Sequence, residues 1–299
     1  MKIRIGTSER DGTFHSQGLA LKTICERRPQ LASVEVLESR SASVDNANRL
    51  QAGEIEFGFM ASNWIGRAKT AEAPFAHPID LRMAAPMNAG PLFFIARVGA
   101  PIRTVTDLRG KRVAVGLRTS GMVQHAHAIF GALGLRFSDF TPVYLDFAAG
   151  ADALAAGEVD AQFQCPIPNK VMTDLAERVA LRVIPYRPGE IETVMRAVPY
   201  YRATVMRRHA IRGLDEDVAQ VAVVNVLVTH ARVGEPMVHD VVAAVIAGAG
   251  ELGEINPLFS GLQDLLRPLR ARGPAALEFA GVPLHAGALQ AYREAGLLG

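Results

Sequence analysis

Part of this 299-residue chain is written twice, and the repeat limits what it can fold into. The stretch LQAGEIEFGFM at residues 50 to 60 returns as LAAGEVDAQFQ at 154 to 164, an offset of 104 residues. Around the first copy, KIRIG (2 to 6), SVEVLE (33 to 38) and EIEFGFM (54 to 60) read as strands. The helical patterns TFHSQGLALKTICERR (13 to 28) and SVDNANRLQAG (43 to 53) separate them. Around the second copy, RVAVG (112 to 116), SGMVQHAHAIFGALGL (120 to 135), FTPVYLDF (140 to 147) and GADALAAGEVDAQFQC (150 to 165) repeat the scheme. In both, a Leu-x-Ala-Gly-Glu turn closes a helix and opens a strand, the work of a glycine just past a helix end. Strand alternating with helix implies a parallel sheet and an α/β fold.

Units of this size are too large for solenoid repeats and suit two similar lobes, each with a parallel or mixed sheet. LRMAAPMNAGPLFFIARV (81 to 98) and VAVVNVLVTHARV (221 to 233) have strand character and would carry the chain across and back. The expected division is residues 1–90 plus 222–299 as lobe 1 and 91–221 as lobe 2, with a ligand cleft between them. The segments 235 to 252 and 284 to 297 are expected to be helices packed on lobe 1.

Composition removes several classes of function. The 32 basic and 30 acidic residues are spread evenly, with no Lys/Arg run, and aromatics are 6%. That balance gives no footprint for nucleic acid or a membrane surface. The longest apolar stretch, VAQVAVVNVLVTHA (218 to 231), is too short and too polar for a spanning helix, so a soluble protein is expected. The opening MKIRIG puts Lys2 and Arg4 where an apolar leader core would begin, which expects either a leader already removed or a cytoplasmic protein. Cys25 and Cys165 fit no metal-ligand spacing and read as two unpaired buried thiols, a single disulfide being the alternative.

In a parallel sheet, ligands gather at the carboxyl ends of the strands, where loops lead into helix starts. Four such junctions are present: 4 to 14, 57 to 66, 113 to 123 and 161 to 170, two in each lobe. Thr119 or Ser120 as helix cap, Gly121 for close backbone approach and the N–H groups of a first helical turn would form an uncharged pocket for an anion such as a carboxylate. Ser8, Gly12 and Thr13 offer a matching set from lobe 1. Arg118 reads either as a bidentate carboxylate partner or as a surface arginine. Phe14, Asn63, Trp64, Gln164 and Cys165 follow or end strands aimed at the same gap. Asn63 and Gln164 are read as corresponding amides of the two copies, while Trp64 either lines the ligand or packs under its loop.

Other chemistry lacks support. His125 and His127 lie two apart on a helix and point to different faces, so they read as solvated rather than metal-binding. HExxH, GxSxG, Walker A and GxGxxG after a strand are missing. Cys165 with a distant histidine, or His15 beside Ser8, has no flanking catalytic signature.

The chain resembles the TAXI-type solute receptors of TRAP transporters, the tripartite ATP-independent periplasmic transporters. The resemblance spans nearly the whole length. It is carried by IGTSERDGTFHSQGLAL, LQAGEIEFGFMASNWIGRA, IRTVTDLRGKRVAVGLRTSG, LAAGEVDAQF and the closing VPLHAGALQAYREAGL. It implies a two-lobed type II periplasmic-binding-protein fold that closes on a small organic anion, such as glutamate, a related dicarboxylate or a 2-oxo acid. It further implies a periplasmic location, delivery to a TRAP-type permease, a monomer and no cofactor. Carried over by position, Ser8, Thr13, Phe14, Asn63, Thr119, Ser120 and Gly121 would meet the ligand, and Arg118 and Gln164 join them from the residue reading.

This sequence departs from that pattern at its opening. The family's Gly-Gly and paired tyrosines give way to Arg10, Asp11 and Gly12 followed by Phe14 and His15, and Asn63 replaces a frequent Asp. A cytosolic enzyme on the same scaffold, resting on Cys165, His15 and Asp11, is one alternative. A ligand sensor for a partner protein is another.

Overall fold

Duplication at the sequence level becomes duplication of strand order. The structure, a computed structural model, describes every residue except 1, 11, 32, 119, 165, 166 and 168. In chain order it begins β1 (Lys2–Gly6), α1 (Thr13–Cys25), β2 (Ser33–Leu37), α2 (Ser43–Ala52), β3 (Phe57–Ala61), α3 (Ser62–Thr70) and the long β4 (Leu81–Arg97). There follow β5 (Arg112–Ala114), α4 (Gly121–Ala132), β6 (Thr141–Val143), α5 (Phe147–Ala156), β7 (Ala161–Gln164), α6 (Lys170–Arg178), β8 (Leu181–Ile184), α7 (Glu190–Ala197) and β9 (Tyr201–Met206). The return runs through β10 (Val218–His230) into α8 (Glu235–Ala247), α9 (Ala249–Ile255), α10 (Leu262–Leu266), α11 (Leu269–Arg272) and α12 (Ala286–Glu294).

Two compact units result, residues 1–89 with 224–299 and residues 90–223, so the chain passes from one to the other inside β4 and back inside β10. In the first unit β2, β1 and β3 are parallel, and β10 lies antiparallel to β3 with Asn225 opposite Ala61. In the second unit β6, β5 and β7 are parallel, and β4 lies antiparallel to β7 with Phe93 opposite Gln164. Each unit is thus three parallel strands bordered by one antiparallel strand, and in each the border is a strand that crosses between units. β8 and β9 extend the second unit along β4 and β10.

The repeated sequence has a repeated physical job. Arg4 lies at the middle of β1: its backbone N–H donates to Glu56 Oε2 at 2.8 Å, and its guanidinium donates to Glu56 Oε1 at 2.5 Å and to Gly53 O at 3.1 Å. Arg112 opens β5 and does the same to Asp160 (2.8 and 2.8 Å) and Gly157 O (2.9 Å). The Arg112 guanidinium holds the Asp160 carboxyl below the usual carboxylate range. Gly53 and Gly157 sit at φ +75° and +82°, the left-handed helix ends that let α2 and α5 stop and turn into β3 and β7.

Behind the clamps, each unit has a buried amide of its own, supplied by a different element in each. In the first, the buried Asn46 of α2 donates to Thr7 O (2.8 Å) and Phe59 O (2.9 Å) and accepts from Ser39 Oγ (2.6 Å), while Gly58 leaves room for it. At the 104-residue offset these positions are Gly150 and Gln162. There the strand supplies the amide, Gln162 Nε2 donating to Phe147 O at 2.9 Å, and a Cβ on Gly150 would lie 2.5 Å from that nitrogen. A buried polar filler has moved from helix to strand.

Several sequence expectations are corrected. The strand read over 140 to 147 ends at Val143, because Asp146 accepts from Ala149 N–H at 2.8 Å and starts α5 at Phe147. The helix read over 235 to 252 breaks at Gly248 into α8 and α9. His125 is not solvated: it is buried and its Nδ1 shares a hydrogen bond of 2.7 Å with Tyr201 Oη. His127 is exposed and stacks on Phe137, so the two imidazoles do point apart. Trp64 meets the Phe75 ring edge-on with the Arg67 guanidinium over it, a packing role. Cys25 is buried and unpaired, and burial pushes its thiol up to about 12, while Cys165 lies outside the described residues. Among the described residues no helix is long and apolar enough to cross a membrane.

Two measurements test this core. Asn46→Ala leaves two buried carbonyls without their amide donor, and its urea midpoint should drop by the equivalent of about 2–4 kcal/mol. Burial holds His125 neutral with a pKa lowered from 6.5 to about 4. The unfolded chain then takes up a proton that the folded one refuses, so this contribution to stability is present above pH 6.5 and lost as pH falls toward 4. The loss is about 3 kcal/mol. A His125→Gln variant should lose less stability than the parent between pH 7 and 4, and equal losses would refute the assignment.

Candidate functional site

The site is built one unit at a time, from the carboxyl ends of parallel strands. In the second unit β6, β5 and β7 are neighbours, with Ala114 paired to Val143 on one side and to Gln162 on the other. The residues just beyond them, Tyr144, Gly116, Leu117, Arg118, Ser120 and Gln164, therefore gather at one edge. Gln164 is completely buried, and among the described residues neither its amide nitrogen nor its oxygen has a hydrogen-bond partner. A buried polar group left unpaired costs about 1–3 kcal/mol, so this side chain is held at a cost to the fold. The exposed Arg118 lays its guanidinium 3.8 Å from the centre of the Tyr144 ring. Among the described residues it has no ion pair and no hydrogen bond.

Ser120 stands at the cap position of α4, but its hydroxyl does not cap the helix. It donates to Leu117 O at 2.7 Å instead. Gly121 is the first residue of α4, where aligned peptide dipoles leave positive potential. Thr119 lies outside the described residues.

In the first unit the loop after β1 also spends its hydroxyl on itself. Ser8 Oγ donates to Glu9 O at 3.2 Å and accepts the His15 N–H at 3.1 Å, closing the first turn of α1. The His15 ring is engaged by Thr7 Oγ1 at 3.3 Å rather than by Ser8, so the suggested Ser8–His15 dyad is not formed. Thr13 opens α1, and Phe14 is buried with its ring 5.5 Å from that of Phe59, a core contact. Asp11 lies outside the described residues.

Asn63 sits in the first turn of α3, and its Oδ1 is buried without a partner among the described residues. It is not the counterpart of Gln164, since the 104-residue offset places Met60 there, one strand position before Ala61. Sequence reading missed three amides close by. Asn88 Oδ1 accepts from Gln17 Nε2 at 3.0 Å and from Asn225 Nδ2 at 3.1 Å, all three side chains are buried, and Gln17 Oε1 has no donor. Asn88 is the single amide of its apolar strand and Asn225 one of two in β10, along with Gln220, and an amide in an apolar run is the signal that marks them.

Chemically, the second unit's edge offers hydrogen-bond donors and a cation, and the first unit leaves buried amide oxygens that accept. Among the described residues no cluster of three or more His, Cys, Asp or Glu side chains is placed to hold a metal ion.

The architecture is that of α/β periplasmic solute-binding proteins. The chain matches the periplasmic sulfonate-binding protein of a sulfonate ABC transporter from Methylobacillus flagellatus with a TM-score of 0.58, at 14% identity, covering 100% of this chain and 96% of that one. A TctC solute-binding protein from Polaromonas gives 0.58 at 14% identity, covering 88% and 87%. An amino-acid ABC transporter extracellular-binding protein from Bacillus subtilis gives 0.51 at 14% identity, covering 91% and 98%. These likenesses establish the fold. A family model matches residues 5–296, and by that match the chain belongs to the NMT1-like family.

Proposed function

We propose that this protein is a solute-binding receptor, without catalytic activity, that captures a small organic anion and delivers it to a TRAP-type permease on the periplasmic side of the membrane. Dicarboxylates, glutamate-like amino acids and 2-oxo acids are the ligands the sequence resemblance favours. Sulfonates, named for the Methylobacillus neighbour, present the same kind of group.

The observation that carries the reading is Gln164. A fully buried amide with both atoms unpaired is costly in a ligand-free fold and is repaid when a ligand brings a donor and an acceptor. Its surroundings support an anion: Arg118 carries an unneutralised charge, and α4 starts at the same edge with the positive end of its dipole. The hydroxyls of Ser8 and Ser120 already donate to backbone carbonyls, so Arg118, Gln164 and backbone N–H groups are the donors an anion would use. The alternative of an enzyme finds less support, since His15 is bound to Thr7.

Thermal unfolding of ligand-stripped protein, titrated with dicarboxylates, amino acids, 2-oxo acids and alkanesulfonates, tests this directly. An anion at 100 times its Kd should add about 2.7 kcal/mol. Gln164→Met should raise the stability of the ligand-free protein by about 1–2 kcal/mol, by removing an unpaired amide, and abolish most of the ligand's effect. No shift with any anion, or a full shift in Gln164→Met, would overturn the reading.

A further inference from the structure

We propose that Tyr144 is the platform that positions Arg118 for the anionic group of the ligand. The inference rests on the anion-receptor reading above and names how its charged contact is made. Arg118 lies in the loop between β5 and α4, and Tyr144 is the first residue after β6. Because Ala114 pairs with Val143, and Val115 N–H donates to Val143 O at 3.0 Å, the chain segments that carry the two residues leave the sheet side by side. The guanidinium carbon sits 3.8 Å from the ring centre.

An exposed arginine on a loop ordinarily samples many rotamers and must surrender them to bind. Among the described residues the ring contact is what fixes the guanidinium, and no carboxylate there neutralises it. Stacking uses one face of the planar cation and leaves its N–H groups, which lie in the plane, open to a planar acid group in the two-point geometry of an arginine–carboxylate pair. Lysine has the charge but neither the flat face nor the fork, so charge alone would not replace Arg118.

The test is isothermal titration calorimetry with L-glutamate, 2-oxoglutarate, succinate and ethanesulfonate, followed by the tightest of these on variants. Tyr144→Phe keeps the ring face and should bind within about twofold of the parent. Tyr144→Leu and Arg118→Lys should each weaken binding about tenfold, and the double variant should be little worse than either, the mark of two residues acting through one contact. Melting temperatures of the ligand-free variants should match the parent's. If Tyr144→Leu melts early, Tyr144→Thr takes its place with the same expectation.

Unchanged binding in Tyr144→Leu or its substitute, beside weakened binding in Arg118→Lys, would overturn the platform and leave the receptor reading standing. Parent-like binding in both Arg118→Lys and Arg118→Ala would overturn the platform by showing that the anion does not meet Arg118. If none of the four probes binds, the receptor reading loses its support and the platform falls with it.

Discussion

A guanidinium on one strand, gripping the carboxylate and the helix-end carbonyl that precede another, sets the register on which both units are built. Arg4 holds Glu56 and Gly53, and Arg112 holds Asp160 and Gly157, with the same atoms in the same roles. Ile5 is thereby brought opposite Phe57 and Val113 opposite Ala161. Parallel strands have no hairpin to fix their alignment, so a clamp between them decides where their carboxyl ends finish. Those carboxyl ends carry the polar residues of the candidate site.

The two units share a frame but not its filling. Where the first buries Asn46 from a helix, the second buries Gln162 from a strand, and a glycine on the facing element makes room in each case. The next inward position on β7 is Gln164, an amide with nothing to bind, where the first unit has the apolar Met60. The second unit's edge therefore combines an unpaired buried amide, a cation stacked on an aromatic ring and a helix start, while the first unit's amides already bond to one another around Asn88. A fold tolerates an unsatisfied polar group where function returns the cost.

Much of the scaffold was legible in the sequence because it is written in periodicity and punctuation. The span of β1 was read to the residue, and the glycine stops at 53 and 157 were anticipated from the Leu-x-Ala-Gly-Glu turns. Errors came where one side chain outweighed a pattern. Asp146 turned an apparent strand into a helix start, and Gly248 split an apolar helix in two. At the candidate site, residue types were easier to read than their commitments. Ser8 and Ser120 are present as expected, yet their hydroxyl protons go to Glu9 O and Leu117 O, and His125, read as solvated, is buried against Tyr201.

By itself the sequence determined the α/β alternation, the duplication, the strand-to-helix junctions and the absence of familiar catalytic motifs, since all of these follow from local spacing and residue type. Only the tertiary structure decided which polar atoms remain available. Whether Gln164 lacks a partner among the described residues, whether Arg118 is held over the Tyr144 ring, and whether Gln17, Asn88 and Asn225 bond together depend on segments distant in sequence being set side by side. A hydrogen bond is satisfied or left open by what lies within about 3 Å in space, and distance along the chain does not specify that.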